Sequence, residues 1–131
     1  MRRGALALLA LLLLLLAPAA SARTRALLTT CEPGVAEFTG RMDARADAVR
    51  MRMRFTLQSR ADEDEAWEKV AAGWGEWIDS EAERLVWTKR VEGLEGPAEF
   101  RVKVRFRWLD ADEELVAHRR RFSSACEQAS P

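Results

Sequence analysis

"VRMRMRFTLQSR", Val49 to Arg60, alternates apolar side chains with arginines and other polar groups for twelve residues. "FRVKVRFRW", Phe100 to Trp108, repeats the pattern. Successive side chains of a β-strand point to opposite faces, so each stretch predicts a strand with one apolar face and one charged face. On a helix the same apolar residues would be scattered around the whole cylinder.

The apolar faces of these two strands are predicted to point into a core. Their members are Val49, Met51, Met53, Phe55 and Leu57 in the first strand, and Phe100, Val102, Val104, Phe106 and Trp108 in the second. The opposite faces carry seven cations, which we call the basic face: Arg50, Arg52, Arg54, Arg101, Lys103, Arg105 and Arg107. If the two strands are neighbours in one sheet, these cations share its outer surface, with Arg119 and Arg121 as candidates to join them.

Weaker alternation predicts further strands at Ala26–Thr30, Val35–Asp43, Trp67–Ala71, Arg84–Val91 and Leu115–Phe122. Turn-forming segments separate them. About seven short strands at this spacing predict an all-β fold, an antiparallel β-sandwich. Two segments oppose an all-strand prediction: Glu63–Ala72 contains good helix formers, and Ser80–Glu83 fits a capping box that would start one helical turn.

The N-terminus predicts export. Two arginines precede an unbroken Leu/Ala run, Ala5 to Ala17, and Pro18 and "ASA" follow. This order is typical of a secretory signal peptide over residues 1–22, cleaved after Ala22. The run is shorter than the roughly 20 apolar residues of a membrane-spanning helix, so no stable membrane anchor is expected after cleavage. Residues 23–131 are sufficient for a single domain, secreted or held at the cell envelope.

Two cysteines, Cys31 and Cys126, lie near the two ends of that domain. Because an exported protein meets an oxidising compartment, we expect them to form one disulfide. Two free thiols or a metal pair are weaker alternatives, since two cysteines and the single histidine, His118, cannot complete a tetrahedral site. A lipid anchor on Cys31 is a further alternative, because "LTTC" faintly resembles a lipobox. No metal or other cofactor is expected.

The charge pattern leaves two interpretations of the basic face open. Without the two arginines of the signal peptide the chain has 19 basic and 21 acidic residues, a net charge of −2, which argues against a dedicated polyanion binder. Like charges directly opposite each other on adjacent strands cost stability, so the clustering needs a reason. The basic face is either a solvated surface or a contact for an acidic wall polymer, a glycan or an acidic protein patch. Nucleic acid is disfavoured by export and because Phe55, Phe106 and Trp108 lie on the apolar face.

A second candidate contact lies in "GWGEWIDS", Gly73 to Ser80, which contains Trp74 and Trp77. Such a pair can stack on sugars or form a protein hot spot, and it can equally cap the edge of the core.

Catalysis has little support in the sequence. His118 has arginine neighbours in a predicted edge strand, so a nucleophile–histidine–acid triad has no centre. The carboxylate pairs Asp62/Asp64 and Asp110/Asp112 fall in predicted turns open to water, where burial cannot raise a carboxyl pKa. We therefore expect no catalytic residues and no enzyme.

"LEGPAEFRVKV", Leu94 to Val104, resembles the corner that leads into strand F of fibronectin type III domains, with Phe100 in place of the family's tyrosine. "MRFTLQSRADEDEAWEKV", Met53 to Val70, is similar to the hairpin between strands C and C′, with Trp67 in the returning strand. The resemblance covers Val35 to Phe122, and its motifs are shared with other immunoglobulin-like sandwiches. It implies that strands C, F and G are consecutive in one sheet.

The resemblance also implies an extracytoplasmic interaction module without an active site. The whole pattern is similar to small uncharacterised exported proteins of arginine-rich bacteria. We expect a non-catalytic exported binding module whose partner is a protein at the envelope or outside the cell. The alternative is a module that binds a carbohydrate or an anionic wall polymer through the basic face.

Overall fold

The computed structural model describes residues 23–131, which form nine β-strands and no helix. The strands are β1 Thr24–Glu32, β2 Val35–Asp43, β3 Arg50–Arg60, β4 Glu68–Lys69, β5 Ile78–Ser80, β6 Arg84–Glu92, β7 Ala98–Leu109, β8 Leu115–Phe122 and β9 Cys126–Gln128. No helix within these residues is long and apolar enough to cross a membrane. The predicted signal peptide lies outside the described residues.

The strands form two antiparallel sheets with the core between them. The small sheet has the order β1–β2–β6. The large sheet has the order β4–β3–β7–β8, with β5 also paired to β3 and β9 also paired to β7. One buried cluster contains side chains of both sheets, such as Phe38 and Met42 from the small sheet and Phe55 and Val104 from the large one. The predicted all-β sandwich is confirmed.

The predicted apolar faces of β3 and β7 are buried, with one exception. The two strands pair in an unbroken register from Arg50 opposite Leu109 to Arg60 opposite Glu99. All the predicted inward residues of both strands are buried except Val49, which is 55% exposed. Val49 precedes β3, and its N–H donates to the carbonyl of Leu109. It therefore lies in the loop that leads into β3, where its side chain is not directed into the core.

Other boundaries differ from the prediction. The first strand is longer than predicted, and the predicted strand Trp67–Ala71 is reduced to β4. Neither Glu63–Ala72 nor Ser80–Glu83 is helical. The Ser80 hydroxyl oxygen accepts a hydrogen bond from the Ala82 N–H at 3.1 Å, which holds a bend in place of the expected helical turn. Val70 and Ala72 pack against the core, and this tertiary contact overrides the helix propensity of their segment.

The chain ends are tied together at one end of the sandwich. Cys31 in β1 and Cys126 in β9 form the predicted disulfide, with Cα atoms 5.5 Å apart. Beside it, the buried Gln128 side chain donates to the Glu32 carbonyl at 2.9 Å and accepts from the Gly34 N–H at 2.8 Å. Gly34 has φ +79° in the turn between β1 and β2, a conformation that favours glycine. Gln128, which the sequence analysis did not single out, therefore fixes the first hairpin to the last strand.

Candidate binding face

The basic face spans three consecutive strands of the large sheet. Arg52 lies opposite Arg107 and Arg54 opposite Arg105 across β3 and β7. Arg105 lies opposite Arg120 across β7 and β8. Directly paired residues point to the same side of a sheet, so the predicted cations do share one outer surface, with guanidiniums facing guanidiniums across strands.

Two neighbouring arginines were placed on the wrong side. Arg119 and Arg121 were candidates for the basic face, but they pair with the buried Phe106 and Val104 and so project from the inner side of β8. The Arg121 Nε donates to the Thr24 hydroxyl at 3.0 Å, toward the small sheet. Arg120 joins the basic face, because it pairs directly with Arg105 across β7 and β8.

Acidic side chains neutralise only one border of the basic face. Arg50 forms an ion pair with Glu113 at 2.6 Å, and Arg52 forms one with Asp79 at 2.5 Å. Of the basic face together with Arg120, the cations that form no ion pair within residues 23–131 are Arg54, Arg101, Lys103, Arg105, Arg107 and Arg120. The middle of the face, over β7 and β8, therefore carries uncompensated positive charge.

The pKa of Lys103 reflects this environment. Partial burial lowers the pKa of its ammonium group, and the nearby charges of Arg105 and Arg120 lower it further. The pKa of Arg101 is lowered by burial and then by the charge of Arg60. Burial is the larger cause for both groups, and repulsion from neighbouring cations adds to it, so an added anion would relieve part of the cost.

Aromatic rings lie among the cations, contrary to the prediction. The guanidinium carbon of Arg107 is 4.7 Å from the centroid of the Trp77 ring, and those of Arg54 and Arg52 are 5.7 Å and 5.8 Å from it. The guanidinium of Arg101 lies between two rings, at 4.3 Å from Trp67 and 4.2 Å from Phe122. These rings stabilise closely spaced cations through cation–π contacts. Phe55, Phe106 and Trp108 lie on the buried face as predicted, but other rings supply the aromatic interleaving that the sequence did not indicate, so only the predicted export still argues against nucleic acid.

Trp74 and Trp77 do not form a joint contact surface. Trp74 packs against the core cluster, beside Leu57 and Val70 at the rim of the sandwich. Trp77 lies on the outer side of the large sheet, over the basic face. The segment Gly73–Ser80 thus crosses the sheet edge, and only Trp77 belongs to the candidate site.

Three of the uncompensated cations, Arg105, Arg107 and Arg120, line an open trough. It has a volume of about 610 Å³ and runs along the outer edge of β7 and β8. Its lining consists of Arg105, Phe106, Arg107, Leu115, His118, Arg119 and Arg120. Three arginines of the outer surface, Arg105, Arg107 and Arg120, meet His118 in this depression and make a site for an anionic group, since guanidiniums bind planar or tetrahedral oxyanions through paired N–H donors.

The carboxylate pairs have structural roles in their turns. Asp62 accepts a hydrogen bond from the Asp64 N–H at 2.8 Å. Asp110 accepts from the N–H groups of Asp112 and Glu114 at 2.9 Å and 3.0 Å. Both arrangements are turns in which an aspartate side chain binds nearby backbone. Among residues 23–131 no three His, Cys, Asp or Glu side chains are grouped so that they could hold a metal ion.

No protein-family model matches the chain, and no curated protein matches it in sequence.

Proposed function

We propose that this protein is a non-catalytic exported binding module that holds an anionic polymer against the basic face of its large sheet. The observation that carries the proposal is the middle of that face, where Lys103, Arg105 and Arg120 lie side by side on β7 and β8 without an acidic partner in the described chain. A protein with slightly negative bulk charge gains nothing in stability from concentrating cations in this way. A ligand that supplies the missing anions explains the arrangement.

A polymer fits the site better than a small anion. The trough is open along the sheet, and the basic face continues beyond it across β7 to Arg54 on β3. Residues 103, 105 and 107 recur at every second position of one strand, about 7 Å apart. A chain with repeated phosphate, sulfate or carboxylate groups can therefore contact several cations at once, and its affinity depends strongly on salt because each contact releases counterions.

The test compares two variants with equal net charge. Lys103→Ser/Arg105→Ser/Arg120→Ser removes three cations from the middle of the face. Arg23→Ser/Arg25→Ser/Arg41→Ser removes three arginines that lie outside it and form no ion pair within residues 23–131. The probe is a column that carries a sulfated polysaccharide, eluted with a salt gradient.

We expect the first variant to elute at lower salt than the parent protein and the control to elute close to the parent. The slope of log affinity against log salt should fall by about one for each cation lost from the contact. Equal losses in both variants would show that bulk charge alone causes retention, and the proposed site would be rejected.

A protein with an acidic surface is the second candidate partner. Leu115 and Phe122 on β8 are large apolar side chains, 51% and 42% exposed; Leu115 lines the trough, and the guanidinium carbon of Arg120 is 5.5 Å from the centroid of the Phe122 ring. Exposed apolar side chains next to arginine are typical of protein–protein contacts. Capture of one protein that survives high salt and is lost in Phe122→Ser would favour this candidate over the polymer.

We also propose that the sandwich is of the fibronectin type III class and that it works outside the cytoplasm. The order β3–β7–β8 supports the first statement, because strands C, F and G are consecutive in that class. The disulfide between Cys31 and Cys126 supports the second, since such bonds persist in oxidising compartments. Recovery of the oxidised protein from the cell envelope or the medium of its native cells would test the location.

A further inference from the structure

The small sheet ends in an unusually regular edge strand. All nine residues of β6 pair with β2 in continuous register, from Arg84 to Glu92. Its other edge forms no backbone hydrogen bond with any residue of the described range 23–131. The other long edge strands are interrupted: the β1 register shifts between Leu28 and Thr30, and the β7–β8 register shifts at Trp108. Bulges of this kind protect an edge from pairing with another chain, and β6 has none.

The side chains of β6 protect its edge at one position: Lys89 pairs with the buried Phe38 and so points inward, and its ammonium binds Glu76 at 2.5 Å. Val86 on the outer face and Trp87 on the inner face are 50% and 46% exposed. Soluble proteins usually blunt a long edge strand with inward-pointing charges, prolines or a covering segment. A regular edge with large exposed apolar side chains is instead typical of a strand that pairs with a partner.

We propose that β6 is a dimerisation edge, which pairs antiparallel with β6 of a second copy about a two-fold axis at Thr88. Residues that pair directly point to the same face of a sheet. An axis between two residues would pair side chains of opposite faces, so the axis must pass through a residue. Centring on Thr88 places Arg84 opposite the partner's Glu92 and Leu85 opposite the partner's Val91. It also places Val86 opposite the partner's Arg90, so no like charges meet along the strand.

Neighbouring registers are less favourable. An axis at Trp87 would place Arg84 opposite the partner's Arg90, and an axis at Lys89 would place two lysines directly opposite each other. Like charges in such positions are destabilising. The register at Thr88 therefore uses the whole strand and pairs opposite charges at both ends.

The end charges are available for this pairing. Arg84 bonds Asp43 of its own chain at 2.9 Å, and Glu92 bonds Arg90 at 2.9 Å. The side chains of Arg84 and Glu92 nevertheless remain 54% and 69% exposed. The dimer would join two small sheets into one six-stranded sheet and leave both basic faces free, because these lie on the large sheets.

The test uses sedimentation equilibrium of the oxidised protein and two charge reversals, Arg84→Glu and Glu92→Arg. Each variant alone places like charges at both ends of the paired strands, so its dimer dissociation constant should rise about tenfold. In a mixture of the two variants, the mixed dimer restores opposite charges at both ends, and association should return toward the parent value. Arg25→Glu, at the opposite edge of the small sheet, is the control and should not change association.

Three results would overturn the proposal. A parent protein that stays monomeric at every concentration has no such interface. A dimer that neither reversal weakens uses another surface. Reversals that weaken association without recovery in the mixture reject the antiparallel register at Thr88. Circular dichroism of each variant checks that the sandwich is intact.

Discussion

Reduction of the disulfide should remove a large part of the stability of this domain. The bond joins Cys31 and Cys126 across a sequence separation of 95 residues, which is most of the described chain. In the chain-entropy description a closed loop of this length contributes about 4 to 5 kcal/mol, because it restricts the unfolded state. The free energy of unfolding of a domain is typically about 5 to 15 kcal/mol, so this single bond is a large share of it.

The assay is urea unfolding followed by tryptophan fluorescence, with and without a reductant. Trp108 is buried, and its indole N–H donates to the Asp43 carbonyl at 2.9 Å, so its emission reports on the packing between the sheets. With an m-value of about 1.5 to 2 kcal/mol/M, reduction should lower the midpoint by about 2 to 3 M.

The double variant Cys31→Ala/Cys126→Ala separates the bond from the reductant. It should unfold near the midpoint of the reduced protein, and addition of reductant should not change it. Superimposable curves for the oxidised and reduced protein would refute the reasoning, because they would mean that the remaining contacts of β9 hold the chain ends without the bond.

Trp74→Ala should lower the free energy of unfolding by about 2 to 3 kcal/mol, because the ring packs against the core. Trp77→Ala should cost about 1 kcal/mol, since it removes only cation–π contacts on the outer surface. Urea unfolding of both variants checks the order, and an equal or larger loss for Trp77 would contradict it. Gln128→Ala leaves the Glu32 carbonyl and the Gly34 N–H without their partner, so we expect a loss of about 1 to 3 kcal/mol. A variant with an unchanged unfolding midpoint would show that water replaces both bonds.

Much of the core could be predicted from the sequence because strand alternation is a local property. A residue at every second position of a strand faces the same side, whatever the partner strand is. Met53, Phe55, Val104 and Phe106 could therefore be assigned to the core without knowledge of the pairing. The prediction for Val49 is wrong, because the alternating pattern starts one residue before β3 begins.

The seven predicted cations of the basic face followed from the same alternation, but the composition of the site depends on tertiary structure. The register between β7 and β8 places Arg120 on the outer surface and Arg119 on the inner side. A shift of one residue reverses this assignment, and the pattern "HRRRF" gives no preference for either. The pairing of Arg52 with Asp79, which neutralises one border of the face, likewise requires the position of β5.

The main strands, the inward and outward faces of β3 and β7, and the pairing of the two cysteines could all be predicted from local patterns along the chain. Tertiary structure alone decided that Trp67 and Trp77 lie over the arginines, that Trp74 belongs to the core and that Gln128 joins the first hairpin to the last strand. The physical reason is the range of the interactions. Alternation is set by the backbone of one strand, whereas these contacts join residues far apart in sequence, whose positions are fixed only when the two sheets pack.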